Sequence, residues 1–266
     1  YPNCTKSSVN NGTWQTAQGF PQKLSPLSMP NWAVSIVPLT QQKMYAVYLS
    51  QGAVRGRLWN GTAFENEELI AEAIIGGRTR FAHSVVAREN NVYIVFLNAT
   101  STSSEIIFLN RTYGAGWTQR ETVQLSAGQT AFPVLSIDLS NGDLTCFWAD
   151  NDVIYYKQYV KGLWDSSATT LTTEVNLRED SLSCSYQTWG SRIELIWNNG
   201  TIDDYHIRFC SLLTGTIMKL TIKSTAGGTT NPLPRIYDYP EGSLVDVTAI
   251  PDPGFSFDRW LLDGAN

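Results

Sequence analysis

Asp203-Asp204 and Glu67-Glu68 are adjacent carboxylate pairs, and carboxylates are the residues that hydrolyse glycosidic bonds. That chemistry needs two carboxyl groups about 5–10 Å apart across the scissile bond. Neighbours on a strand point to opposite faces, so neither pair is a convincing acid and base. His83 and His206 are far apart and lack an H-x-H or H-x-x-H companion, so no transition-metal site is expected. Asp150, Asp152 and the Asp203-Asp204 pair could offer oxygen ligands to Ca2+, but without EF-hand spacing, and no other cofactor is expected. No Gly-x-Ser-x-Gly, phosphate-loop or dinucleotide motif is present. Aromatic faces stack on sugar rings, and of the nine tryptophans Trp59 and Trp189, near turns, are the candidates for exposed contact.

Composition narrows the setting. Aromatics make up 12% of the 266 residues and charged residues only 16%, against roughly 25% charged in soluble domains. Ser, Thr, Asn and Gly take their place, which favours strands and turns. The formal net charge of -5 argues against nucleic acid as a main partner. No apolar run approaches the length that crosses a bilayer. Four cysteines fit two disulfides, and Asn-X-Ser/Thr sequons stand at Asn3, Asn11, Asn60, Asn98, Asn110 and Asn199. The start "YPNCTKSS" reads as a processed or trimmed product. A secreted, N-glycosylated, extracellular protein is the expectation.

The elements that must position these residues repeat. Apolar strands begin at Met44, Val92, Leu144 and Ile193, which are 48, 52 and 49 residues apart. Each follows another strand and a polar turn and precedes a strand of alternating pattern; the first three units add a fourth strand. Four antiparallel strands at a period near fifty residues describe the blades of a β-propeller, in an all-β chain. Inner strands packed on both faces are continuously apolar, whereas outer ones alternate. A sandwich of about seven strands would not keep this register.

The reading is a four-bladed propeller over 1–213, with blades at about 32–80, 81–130, 131–178 and 179–213. The fourth unit has three strands, and Asn11–Phe20 in the lead-in 1–32 looks like its missing outer strand, which would close the ring. The alternative is a fragment of a larger ring. Closure favours a Cys4–Cys210 bond and leaves Cys146 with Cys184 on inner strands of neighbouring blades. Arg78 and Arg80, just before the inner strand of the second blade, could face the central channel and are candidate ligand contacts.

The third unit, "FPVLSIDLSNGDLTCFWADNDVIYYKQYVKGLWDSS", resembles a blade of the sialidase-like (Asp-box or BNR-like) propellers. Asp138, Asn141, Gly142, Asp143, Trp148, Tyr155, Tyr156 and Trp164 carry the likeness, while a full Asp-box is absent. The motif holds a turn, so it implies fold far more than activity. Enzymes of that family grip a carboxylate with three arginines and use a Tyr–Glu nucleophile and an Asp acid. Arg78, Arg80, Arg88, Arg192 and Arg208, with Asp138, Glu194 and Tyr205, are candidates by composition alone, and none lies in a family motif. The chain is therefore not expected to be an enzyme.

Residues 214–266 resemble the β-grasp-like repeats of bacterial and archaeal surface proteins related to the internalin B-repeat. The likeness rests on Gly227–Pro232, Tyr239–Gly242, Val245–Ile250 and Pro253–Phe255, with Phe257 and Trp260. It implies a stalk or spacer module without catalytic residues. One or two further strands would complete it, so either the tail is trimmed or another subunit donates a strand. Phe255, Phe257 and Trp260 would then form the assembly surface. The function expected is an extracellular cell-surface structural or adhesive protein that self-associates through this module. The alternative is a glycan-binding, lectin-like propeller or a diverged glycoside hydrolase.

Overall fold

A computed structural model describes residues 6–7, 14–15, 24, 32–50, 52–72, 83–99, 104–125, 127, 132–178, 181–201, 204–215, 217–240 and 243–262. These residues form strands and turns, and none of them belongs to a helix long and apolar enough to cross a membrane. After a short ribbon of β1 (Lys6–Ser7) and β2 (Trp14–Gln15), three antiparallel meanders follow one another. The first blade holds β3 (Trp32–Pro38), β4 (Met44–Ser50), β5 (Ala53–Trp59) and β6 (Glu68–Glu72), paired in that order. The second holds β7 (His83–Arg88), β8 (Asn91–Ala99) and β9 (Ser104–Thr112), with its outer strand split into β10 (Gly116–Trp117) and β11 (Glu121–Leu125). The third repeats this plan with β12 (Val134–Ile137), β13 (Leu144–Asp150), β14 (Val153–Val160), β15 (Leu163–Trp164) and β16 (Thr169–Thr173). The fourth has β17 (Ser183–Cys184), β18 (Arg192–Thr201) and β19 (Asp204–Leu213).

Burial follows from this layering. The second strands β4 and β13 are buried on almost every residue: the second blade covers one face of each, and on the other face of β4 Ala46 and Tyr48 pack with Leu24. The third strand β14 fully buries only Ile154 and Lys157, whereas the third strands β5 and β9 of the first two blades are buried on most residues. Innermost strands of successive blades lie side by side, β3 with β7, β7 with β12 and β12 with β17. One apolar core, including Val47, Leu49, Val85, Phe96 and Ile107, fills the space between the first and second blades. Another, including Val95, Phe108, Leu135, Leu144 and Trp148, fills that between the second and third. This is a propeller-type all-β architecture. Tight turns join the strands: Asn151 and Asp152, at φ 48° and 63°, form a two-residue hairpin that suits the strand twist.

Among the described residues the outer edge of β19 has no partner strand, and Trp14–Gln15 pairs with Lys6–Ser7. Val34 and Ile36 on the first blade, and Ile196, Ile207 and Phe209 on the fourth, stay exposed. Most of the rest of the lead-in, including Asn3, Cys4 and Asn11, lies outside the described residues, while Cys210, the expected partner of Cys4, is a free thiol.

Contacts divide the chain into two compact units, one of Tyr1–Thr188 with Ile193–Ser211 and one of Trp189–Arg192 with Leu212–Asn266. The second unit contains two ladders. β20 (Ile217–Thr221) pairs with β22 (Ile236–Pro240), and β21 (Gly228–Asn231) pairs with β23 (Thr248–Pro251).

Candidate functional site

The adjacent carboxylates of the first blade do point to opposite faces, and each finds a tyrosine and an arginine. Glu68 accepts from the Tyr45 hydroxyl at 2.8 Å and from the Trp117 indole at 2.9 Å. Arg111 grips it with two hydrogen bonds of 2.7 and 2.9 Å. Glu67 accepts from Tyr48 and from Arg55 at 2.9 Å on the other face. There Tyr48 and Arg57 also donate to the Leu24 carbonyl, at 3.3 and 2.9 Å, and the Leu24 side chain joins a small core with Ala46 and Tyr48. Gly56 makes room for this arrangement, because a Cβ there would clash with the edge of the Tyr45 ring.

A Tyr–Glu–Arg set has the composition of a glycosidase nucleophile, but its electrostatics differ. Burial, with the Glu68 charge behind it, pushes the Tyr45 hydroxyl far above the usual phenol range. Burial also pushes up Glu68, but hydrogen bonds from Arg111 and Tyr45 more than offset it and hold the carboxyl below its ordinary value. The pair is thus locked as phenol and carboxylate, with Tyr45 fully buried. It joins β4 and β6 of the first blade to β9 and β10 of the second. It clamps two blades.

The arginine–carbonyl theme recurs at the next junction. Arg88 donates to the Leu139 and Ser140 carbonyls of the third blade at 2.9 and 3.1 Å. The turn it holds is the one carrying the blade motif, where Asp138 accepts from the Ser140 amide and hydroxyl at 2.9 and 2.6 Å. Asp138 therefore shapes a turn. Arg208 donates to the Asn199 side chain at 3.2 Å and lies 3.9 Å from Glu174. Arg178 stacks on Tyr205 and donates to its hydroxyl at 3.0 Å, while Glu194 accepts from Ser211 at 3.0 Å. These residues are not brought to one place. Arg78 and Arg80 lie outside the described residues.

Trp59 is a correction. It is 8% exposed and packs edge-on against Phe64, because the chain turns back after β5 and bridges Trp59 to Phe64. Trp189 remains 68% exposed at the end of a tight turn closed by reciprocal backbone bonds with Arg192. The Cys146–Cys184 bond is a second correction: both are free thiols, as is Cys210. Cys146 lies on β13 opposite Lys157 on β14, and Cys184 lies on β17 of the fourth blade, near enough that its charge would be felt at Cys146. Burial pushes the Cys184 thiol up to about 12 and Cys146 higher still. Both are poor nucleophiles.

The sequons separate by surroundings. Asn60 is exposed in a turn whose Thr62 and Ala63 amides donate to its side-chain oxygen. Asn98 and Asn199 use their amide nitrogens inside the fold, donating to Glu105 at 3.0 Å and Glu174 at 2.7 Å. Asn199 is buried, so it is not placed as an acceptor of sugar. Asn110 is half-buried on β9. Among the described residues no three His, Cys, Asp or Glu side chains come together as a metal site, Asp150 and Asp152 included.

Tyr186 escapes sequence reasoning altogether. Its hydroxyl accepts from the Ala87 amide at 2.7 Å and donates to the Ala87 carbonyl at 3.1 Å, although it belongs to the fourth blade. Its ring touches both inter-blade cores. A lone tyrosine in a polar stretch gives no periodic signal.

In the C-terminal unit Phe255 stacks over Gly227, whose φ of +95° and missing Cβ leave space for the ring, and Phe257 and Trp260 contact each other at 5.2 Å. All three are about half exposed, as are Met218, Ile236 and Leu261, while Leu262 is 80% exposed. Among its described side chains from Met218 to Leu262, Ile222 and Thr230 are the ones it buries well.

The profile of the divergent InlB B-repeat domain matches residues 218–266. No curated protein matches the chain. Similar solved structures include an α-L-arabinofuranosidase of Podospora anserina, at 13% identity and TM-score 0.42, covering 68% of this chain and 63% of that one. The NanB sialidase of Streptococcus pneumoniae aligns at 10% identity and TM-score 0.47, covering 79% and 35%. The six-bladed lectin of Aleuria aurantia aligns at 11% and 0.45, covering 83% and 78%. The chain thus spans less than two thirds of the first two proteins.

Proposed function

We propose that the chain is an extracellular, N-glycosylated surface protein with a structural or adhesive role, in which a propeller without catalytic residues is chained to other copies through its C-terminal module. The observation that carries this reading is the module's exposed apolar set, with Phe255, Phe257 and Trp260 at its centre. A unit of about fifty residues that hides so little apolar surface gains stability by covering it. Among the described residues its ladders are two-stranded, and their outer edges offer backbone donors and acceptors for a further strand. The match to a repeat domain supports the same direction. The engagement of Glu67, Glu68, Arg55 and Arg111 in blade packing supports a structural use of the propeller.

Light scattering on the secreted protein tests this. Assemblies larger than one chain that fall apart in a Phe257→Ser, Trp260→Ser variant are the expected result; a monomer at micromolar to millimolar concentration would sink it. Glycan binding is the second reading, favoured by the exposed Trp189 on its rigid turn. Binding to a glycan array that is lost in Trp189→Ala supports it, and binding that persists in that variant removes Trp189 from the site. Turnover of aryl glycosides that disappears in Arg78→Ala or Arg80→Ala would overturn the non-enzymatic reading.

A further inference from the structure

His83 opens β7, the innermost strand of the second blade, and it is 8% exposed. Neither ring nitrogen has a hydrogen-bond partner, although both are shielded from water. Strand alternation puts it on the same face as Val85 and Ala87, both in the core shared with the first blade. Its neighbours across the sheet, Phe96 on β8 and then Ile107 on β9, belong to that core too. Ser84, on the opposite face, accepts from the Leu135 amide of the third blade at 3.0 Å. A buried polar ring without a partner costs stability, so its retention points to a use.

We infer that His83 is an acid-triggered release for the junction between the first and second blades. The strands around it leave an incoming proton unbalanced. β3 carries no titratable residue, β8 faces this core with Val92, Ile94 and Phe96, and β9 does so with Ile107 and Leu109 before Arg111. The titratable groups of the junction, Tyr45, Glu68 and Arg111, stand at its other end, where Arg111 pairs across from Val92, four residues from Phe96. Among the described residues no carboxylate is placed to receive an imidazolium. The charged ring must leave the core, and β7 must part from β3 to let it out.

The sign follows from linkage. Burial alone pushes the His83 pKa from 6.5 down to about 4. The unfolded or opened chain binds the proton first, so stability falls as pH drops from about 6.5 to about 4 and this group adds nothing further below that. Over that window the opening equilibrium rises on the order of a hundredfold. Glu68, held below its ordinary value, keeps the clamp until the pH falls below about 4.5. His83 therefore acts first.

The test is hydrogen exchange of the full chain at pH 7 and pH 4.5, corrected for intrinsic rates, in the wild type and in His83→Phe. The wild type is expected to lose protection in β3 and β7 by tenfold or more at pH 4.5 while β12 and β13 change less, and His83→Phe is expected to hold its protection. Equal losses in both proteins would overturn the inference. The chain has two histidines, His83 and the exposed His206, so ring NMR signals of the wild type give a readout that does not depend on the variant folding. A His83 signal that titrates near 6.5 with the protein still folded also overturns it.

Discussion

Single side chains in this protein decide how the blades join. Glu68 gathers a tyrosine, a tryptophan and an arginine that come from two blades. Glu68→Gln keeps the shape but removes the charge opposite a largely buried guanidinium, and breaking such a pair costs about 2–4 kcal/mol. Urea denaturation at pH 7 reads that loss, and an unchanged midpoint would show that the clamp is dispensable. The difference between the two proteins is full above pH 4.5, where the unfolded carboxyl is ionised, and fades as the folded carboxyl is protonated below it. Sequence reasoning put Glu67 and Glu68 on opposite faces from the strand period alone. It did not find their partners, because Tyr45 and Arg111 are 66 residues apart and carry no shared pattern. Trp59 shows the opposite failure. Its place beside a turn suggested exposure, and the turn folded back to cover it.

At the level of strands, the period of hydrophobicity carried most of the information. Each apolar run read from the sequence became a second strand, at Met44–Ser50, Asn91–Ala99, Leu144–Asp150 and Arg192–Thr201. The first three are buried on most residues, as expected of sheets packed on both faces, whereas Arg192–Thr201 alternates between buried and more exposed positions. The pairing of cysteines was not legible. Cys146 and Cys184 come near each other across neighbouring blades yet stay free thiols, and the backbone separation and side-chain direction that a bond requires are not written in spacing. Tyr186 adds a contact that no strand pattern encodes, since it runs from the fourth blade to the innermost strand of the second. Tyr186→Phe leaves the Ala87 amide without its acceptor and is expected to cost about 1–3 kcal/mol. Faster exchange of the Ala87 amide is the accompanying sign, and normal protection there would remove Tyr186 from this role.

Across the whole molecule, two compact units each hold their own contacts. Calorimetry on the full chain is expected to show two transitions, with Glu68→Gln and Tyr186→Phe moving the one that belongs to the blades. A single transition that both substitutions shift would contradict this division. The position of Tyr186 also sets an order of events. Its hydroxyl finds no partner until the strand carrying Ala87 has been laid down, and its ring needs the cores on either side of the second blade. A chain made from its N-terminus therefore meets this check after the first three blades have emerged. The fourth blade then works as an inspection of the earlier ones: it seats where they have stacked correctly, and a misassembled stack offers it no lock.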